Sequence, residues 1–206
     1  MENRRRRVPA LAPDERRAAL IEATIPLLHE HGLDVSTKQI AQAAGVAEGT
    51  IFGVFESKSS LVMCSVVKAL DPQPTLDALA AIDPSAPLRE RVSQSATLLN
   101  NRFAETAALM AAARKLIFME PGDPEARARI ASGRDRLHAA LAEVIEPDAA
   151  LLRRSPRSVA LLLLLFCSAH NFGPFGDPAG FSGDEAASLL LDGLLVRDDK
   201  RGTQRC

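Results

Sequence analysis

Apolar positions recur at three- and four-residue intervals along most of this chain, so the pattern predicts helices almost throughout. From Asp14 to His31, Leu20, Ile21, Ile25 and Leu28 form one stripe, and Pro13 with two acids suits the start of a helix. Pro26 lies inside that stretch and predicts a kink near Glu22. Ser36 followed by Gln39 is a capping-box start, and Gly45 stands where a left-handed helix end is wanted. Between them Ile40, Ala43 and Ala44, with Val46 just beyond, mark a short helix. Ile51, Phe52 and Phe55 mark the next, and Ser57 caps a third that runs from Lys58 to Leu70 with Leu61, Val62, Val66 and Leu70 inward. Asp71-Pro72-Gln73-Pro74 ends that helix, and a domain boundary is expected there.

The same periodicity predicts helices over 76–82, 88 to about 102, 105–119, 124–145, 156–172 and 183–196. Pro121-Gly122-Asp123-Pro124 and the loop from Gly173 to Pro178 punctuate them; the glycines of that loop lack the lysine and spacing of a phosphate cradle. Val159 to Ala169 is apolar around its whole circumference, which demands burial on every side. Paired with the leucines of the last helix, it predicts a homodimer interface at Leu161, Leu165, Ser168, Leu190 and Leu194; an internal helix of a monomer is the alternative.

Composition supports an all-α chain. Of its 206 residues 47% are hydrophobic and 25% charged, with neither tryptophan nor tyrosine. The net charge of −1 gives no overall basic excess, so affinity for nucleic acid must come from a local arrangement. The basic start runs into Pro9 and Pro13 without an apolar segment, and 159–169 is too short to span a bilayer. No signal peptide and no membrane partner are therefore expected. Three scattered cysteines, Cys64, Cys167 and Cys206, suggest a reducing cytoplasm and no disulfide framework; redox sensing by one of them is a minor alternative.

Two short helices joined at a glycine make a helix-turn-helix, whose second helix suits the major groove of DNA, although a plain helical hairpin has the same spacing. The residues go further. TKQIAQAAGVAEGTIF, starting at Thr37, with the following FESK resembles the DNA-binding signature of the TetR family of transcriptional repressors, and the likeness extends upstream through the first helix. It covers roughly residues 14–60.

The resemblance implies an all-α TetR-like fold: a basic arm over 1–12, a helix-turn-helix domain with linking helix over 13–70, a helical ligand-binding and dimerisation domain over 75–197, and a tail over 198–206. It also implies roles. Thr37, Lys38 and Lys58 would hold phosphates, Glu48, Gly49, Thr50 and Gly53 would face the base edges, Val54 could touch a thymine methyl, and Phe52 occupies a DNA-contacting position without the phenolic donor to phosphate. Phe52, Gly53 and Val54 stand where the family often has tyrosine, a cation, and histidine or another aromatic. The reading helix therefore carries no positive charge, and Glu48 would repel phosphate while still able to accept from a cytosine amine. Arg4, Arg5, Arg6 and Arg7 on the arm would compensate through phosphates or the adjacent minor groove.

A small apolar effector is expected in the C-terminal part. Phe103, Met110, Phe118, Leu137 and Phe166 are candidate lining, and Arg114, His138, His170 and Asn171 candidate anchors. The whole then reads as a ligand-responsive repressor on a palindromic operator. A helical dimeric module with a degenerate DNA-binding head is the alternative. Catalysis by Cys64 or Cys167 with His138 or His170 has no local motif behind it. No cofactor is called for; His29 and His31 face different ways and make a weak metal pair.

Overall fold

A computed structural model of the chain describes residues 12–119, 124–172 and 181–194, without the side chains of 112–113, 115–119, 170–172 and 194. The arginine arm, the loop from Gly173 to Pro178 and Cys206 lie outside the described residues. So do the side chains of Phe118, His170, Asn171 and Leu194. In chain order the helices are α1 (Pro13–His31), α2 (Thr37–Ala43), α3 (Gly49–Phe52), α4 (Lys58–Ala69), α5 (Gln73–Ala80), α6 (Leu88–Met119), α7 (Pro124–Ile145), α8 (Pro156–Phe172) and α9 (Gly183–Leu194). The chain divides into two compact units, Met1–Leu70 with Ala108–Arg127, and Asp71–Ala107 with Ala128–Cys206.

In the first unit α1 packs on α2 and α4. Its buried line is Leu20, Thr24 and Leu28, while Ile21 and Ile25 are only half-buried. Thr24 enters the core because its hydroxyl donates to the Leu20 carbonyl one turn back, at 2.7 Å, leaving no unpaired polar atom. Pro26 sits within the continuous helix. Ile40, Ile51, Phe55, Leu61, Val62 and Val66 complete this core. On α2 the buried alanine is Ala41, and Ala43 is exposed, contrary to the sequence expectation. A seven-residue helix has too little arc to bury both.

The second unit has its own core, in which Leu79, Leu99, Leu141, Ile145, Val159 and Leu163 are almost wholly removed from solvent. Two expectations change. Helix α4 ends before Asp71 as expected, but Gln73 and Pro74 already open α5, ahead of the expected start at Leu76, since proline fits a first turn. The stretches 88–102 and 105–119 are one helix of 32 residues, because nothing between Arg102 and Glu105 breaks a helix. The start of α9 lies hard against α6: a Cβ on Gly183 would collide with the Ser93 carbonyl and the Thr97 hydroxyl. Arg89 ties the same two helices by donating to Ser188 at 2.9 Å and pairing with Asp192 at 2.6 Å.

Helix α8 is not buried all round within one chain. Val159, Ala160, Leu163, Leu164 and Cys167 face the core, whereas Leu161, Leu162 and Leu165 are 46%, 41% and 55% exposed. Leu189 on α9 is likewise open, at 57%. Among the described residues no helix is long and apolar enough to cross a membrane.

Candidate nucleic-acid interface

The helix-turn-helix is assembled from local signals. Ser36 accepts from the Gln39 amide at 3.2 Å, and the Gln39 side chain accepts from the Ser36 amide at 2.8 Å, closing the capping box of α2. Gly45 takes φ +66, the left-handed conformation that lets the chain turn after Ala44. The Ser57 hydroxyl accepts from the Ser60 amide at 3.1 Å and starts α4.

Helix α3 is one turn long and anchored from beneath by Ile51 and by Phe55 just beyond it, both buried. Its outer side presents Glu48, Gly49, Phe52 and Gly53, with Thr50 and Val54 half-buried at the margins. Phe52, read from the sequence as one of the helix's apolar positions, is 56% exposed and contributes nothing to the core. An exposed phenylalanine on a projecting helix has lost the burial that normally holds it inside.

Thr37 and Lys58, two of the expected phosphate-binding residues, have intramolecular partners. The Thr37 hydroxyl donates to the Glu48 carboxylate at 2.5 Å, joining the first turn of α2 to the start of α3. Lys58 Nζ donates to the Leu33 carbonyl at 3.0 Å and is half-buried. Lys38 is exposed.

Arg17 is a cation that sequence reading passed over. From α1 its guanidinium lies 4.3 Å from the Phe55 ring centroid, donates to the Val54 carbonyl at 3.5 Å and approaches Cys64 Sγ at 3.2 Å. It clamps the C-terminal end of the α3 turn onto α1 and α4. No periodicity in the sequence marks it, because an arginine early in a helix reads as an ordinary solvated residue.

Residues 20–63 match the family model described as bacterial regulatory proteins, tetR family. That segment carries the helix-turn-helix domain of this family. The matched segment runs from the middle of α1 into α4 and contains the whole helix-turn-helix. The chain's helical architecture is similar to that of TetR-family regulators of known structure. A TetR-family transcriptional regulator of Mesorhizobium loti MAFF303099 is 17% identical, with a TM-score of 0.68 over 91% of this chain and 100% of that one. A tetR-family regulatory protein of Rhodococcus RHA1 is 19% identical, with a TM-score of 0.62 over 89% and 99%. The fatty acid degradation regulator FadR of Bacillus halodurans is 18% identical, with a TM-score of 0.60 over 89% and 97%. At these identities the likeness is one of fold.

Within the second unit, the residues expected around an effector fall into different surroundings. Leu137 is buried in the core, and Phe103 and Phe166 pack against it. The Phe166 ring lies 5.1 Å from that of Phe181. His138 bonds through Nε2 to the Arg157 carbonyl at 2.7 Å. In the first unit's portion of α6, Met110 is half-buried and Arg114 exposed. A cavity is present elsewhere in the second unit and includes none of these side chains.

Cys167 is buried, and burial pushes its thiol up to about 12, far above the range of a reactive thiolate. Cys64 is half-exposed beside Arg17. Among the described residues no His, Cys, Asp and Glu side chains gather as a metal site.

Proposed function

We propose that this chain is a TetR-family homodimeric repressor, reading a palindromic operator with α3 and releasing it when a small molecule binds the C-terminal unit. The observation that carries the reading is the outer side of α3, where Phe52 projects into solvent from a turn clamped on three sides. That side offers little charge. Its specificity would come from Thr50, Val54 and Phe52 against thymine methyls and from Glu48 against a cytosine amine. Phosphate affinity falls to Lys38, with Thr37 and Lys58 joining after exchanging their intramolecular partners, and to Arg4 through Arg7 on the arm.

Dimerisation is supported by the leucines that one chain leaves open. Leu161, Leu165 and Leu189 lie exposed on α8 and α9, with Ser168 and Leu190 half-buried beside them. Covering a leucine side chain is worth about 1.5–3 kcal/mol, so the pair of helices favours a second copy of itself over water. The operator is then expected to be two half-sites related by a twofold axis. A helical dimeric module with a weak DNA-binding head remains the competing reading, favoured by the absence of any cation on α3.

The test is a gel shift on the protein's own upstream DNA at low and moderate salt. The repressor reading expects a palindromic site whose binding is lost in the Thr37→Ala/Thr50→Ala/Lys58→Ala variant, with folding checked by circular dichroism. Equal binding to a scrambled duplex would favour the module.

A further inference from the structure

Helices α5, α6 and α7 border an open cavity of about 490 Å³ in the second unit. One part of its lining is apolar, from Leu76, Leu79, Ile82 and Val144. Another is acidic, from Asp77 and Glu143, both on exposed helical positions. Arg91 also lines the cavity although it is only 1% exposed.

Arg91 is bonded on two of its three nitrogens. Nη1 donates to the Val144 carbonyl at 2.8 Å, and Nη2 pairs with the Asp148 carboxylate. Nε has no partner, and among the described residues it is the one buried side-chain nitrogen or oxygen left so. A buried donor without an acceptor is costly, so an acceptor brought beside it by a ligand gains more than it would in water. That acceptor need not be charged. Asp148 already balances the guanidinium, and Asp83, whose carboxyl is held low mainly by hydrogen bonds from Ser85, also feels its charge. Gln73 on the lining is engaged by Asp77 at 2.7 Å and by Arg136, so it is not a free anchor.

We infer that this cavity binds a small amphipathic cation, with an apolar body against Leu76, Leu79 and Val144, a neutral carbonyl or ether oxygen for Arg91 Nε, and an ammonium group for Asp77 and Glu143. An anion would meet two carboxylates and a guanidinium whose charge is already balanced. A purely apolar molecule would leave Arg91 Nε as it is. This names an effector class for the regulator proposed above and rests on that reading only in the step from binding to DNA release.

The experiment titrates the full chain by calorimetry and methyl NMR with three probes built on one N-propylbenzamide scaffold. They are 4-(aminomethyl)-N-propylbenzamide, its neutral N-acetyl derivative, and the anionic 4-(propylcarbamoyl)benzoate. The cation should bind about fivefold or more tightly than the neutral probe, from two exposed carboxylates each contributing a few-fold. It should shift the methyl signals of Leu76, Leu79 and Val144. Asp77→Asn/Glu143→Gln should erase the preference for the cation while the neutral probe binds as before, and Ala140→Phe should block all three. Tightest binding by the anion, no binding by any probe, or an unchanged preference in the double variant overturns the inference. Cation binding without any change in operator affinity upholds the site and counts against the effector reading alone.

Discussion

Thr37 Oγ1 donates to Glu48 Oε1 at 2.5 Å, so the two helices of the DNA-reading motif are fastened through a side chain that each was expected to turn towards DNA. The bond fixes the approach of α3 to α2 and holds a carboxylate at the entrance of the reading surface. Replacing Glu48 by Gln keeps an acceptor for Thr37 and removes the negative charge. Glu48→Gln should tighten binding to any duplex a few-fold and steepen its salt dependence by less than about one counterion. Fluorescence anisotropy across a salt series checks this. An unchanged slope would place Glu48 away from the phosphates.

Lys58 is held by the Leu33 carbonyl at 3.0 Å, and it therefore serves the fold before it serves DNA. Lys58→Met should lower the free energy of unfolding by about 1 kcal/mol, the worth of one hydrogen bond from a charged donor that is half-buried. Urea denaturation measures it. A variant as stable as the parent would free Lys58 for a purely phosphate-binding role.

The motif was legible because its signals are local. Ser36 with Gln39, Gly45 and Ser57 each act within four residues, and all three behave as their neighbours in the sequence demand. What escaped depends on distant partners. Thr24 is buried because a hydroxyl bonded to its own helix can stand in a core, and polarity alone argued the reverse. The unbroken α6 shows that a lull in the apolar pattern is not a helix end unless a breaker is present. Arg91 became a buried group only because Val144 and Asp148, more than fifty residues away, close over it. Nothing in its neighbourhood distinguishes it from a solvated arginine. The expected effector residues on the second unit went the same way, since an aromatic near a helix face reads alike whether it lines a cavity or, like Phe166, packs on a core.

The cysteines should differ sharply in reactivity. Cys167 is buried and its thiol is pushed up to about 12, while Cys64 is half-exposed beside the Arg17 guanidinium. In a Cys206→Ser background at pH 8, iodoacetamide should modify Cys64 and leave Cys167 intact until the protein is unfolded, as read by mass spectrometry. Comparable rates in the native protein would contradict the packing of α8.

Gly183 should tolerate no side chain. A Cβ there runs into the Ser93 carbonyl and the Thr97 hydroxyl, the first of which is backbone and unable to rotate aside. Gly183→Ala should cost about 1–3 kcal/mol of stability by overpacking the contact between α6 and α9. Thermal unfolding measures it, and a neutral outcome would mean that α9 sits further from α6.

The start of α9 also carries a pH dependence. Hydrogen bonds from the Ser182 amide and hydroxyl, both at 2.9 Å, hold the Glu185 carboxyl below its ordinary value of 4.5. Because the folded value is the lower one, this contribution is complete above pH 4.5 and fades as pH falls through the folded value. Glu185→Gln should therefore reduce stability at pH 7 and not at pH 2, as chemical denaturation at the two pH values would show. A difference that persists at pH 2 would mean the carboxylate form is not what caps the helix.

The central claim is that two copies of the chain set their α3 helices on one duplex. Sedimentation velocity of the protein with a fluorescent duplex bearing its upstream palindrome tests it most directly. The account predicts two protomers on each palindromic duplex at moderate salt and none on a scrambled one. A single protomer per duplex, or equal loading of both sequences, would contradict it.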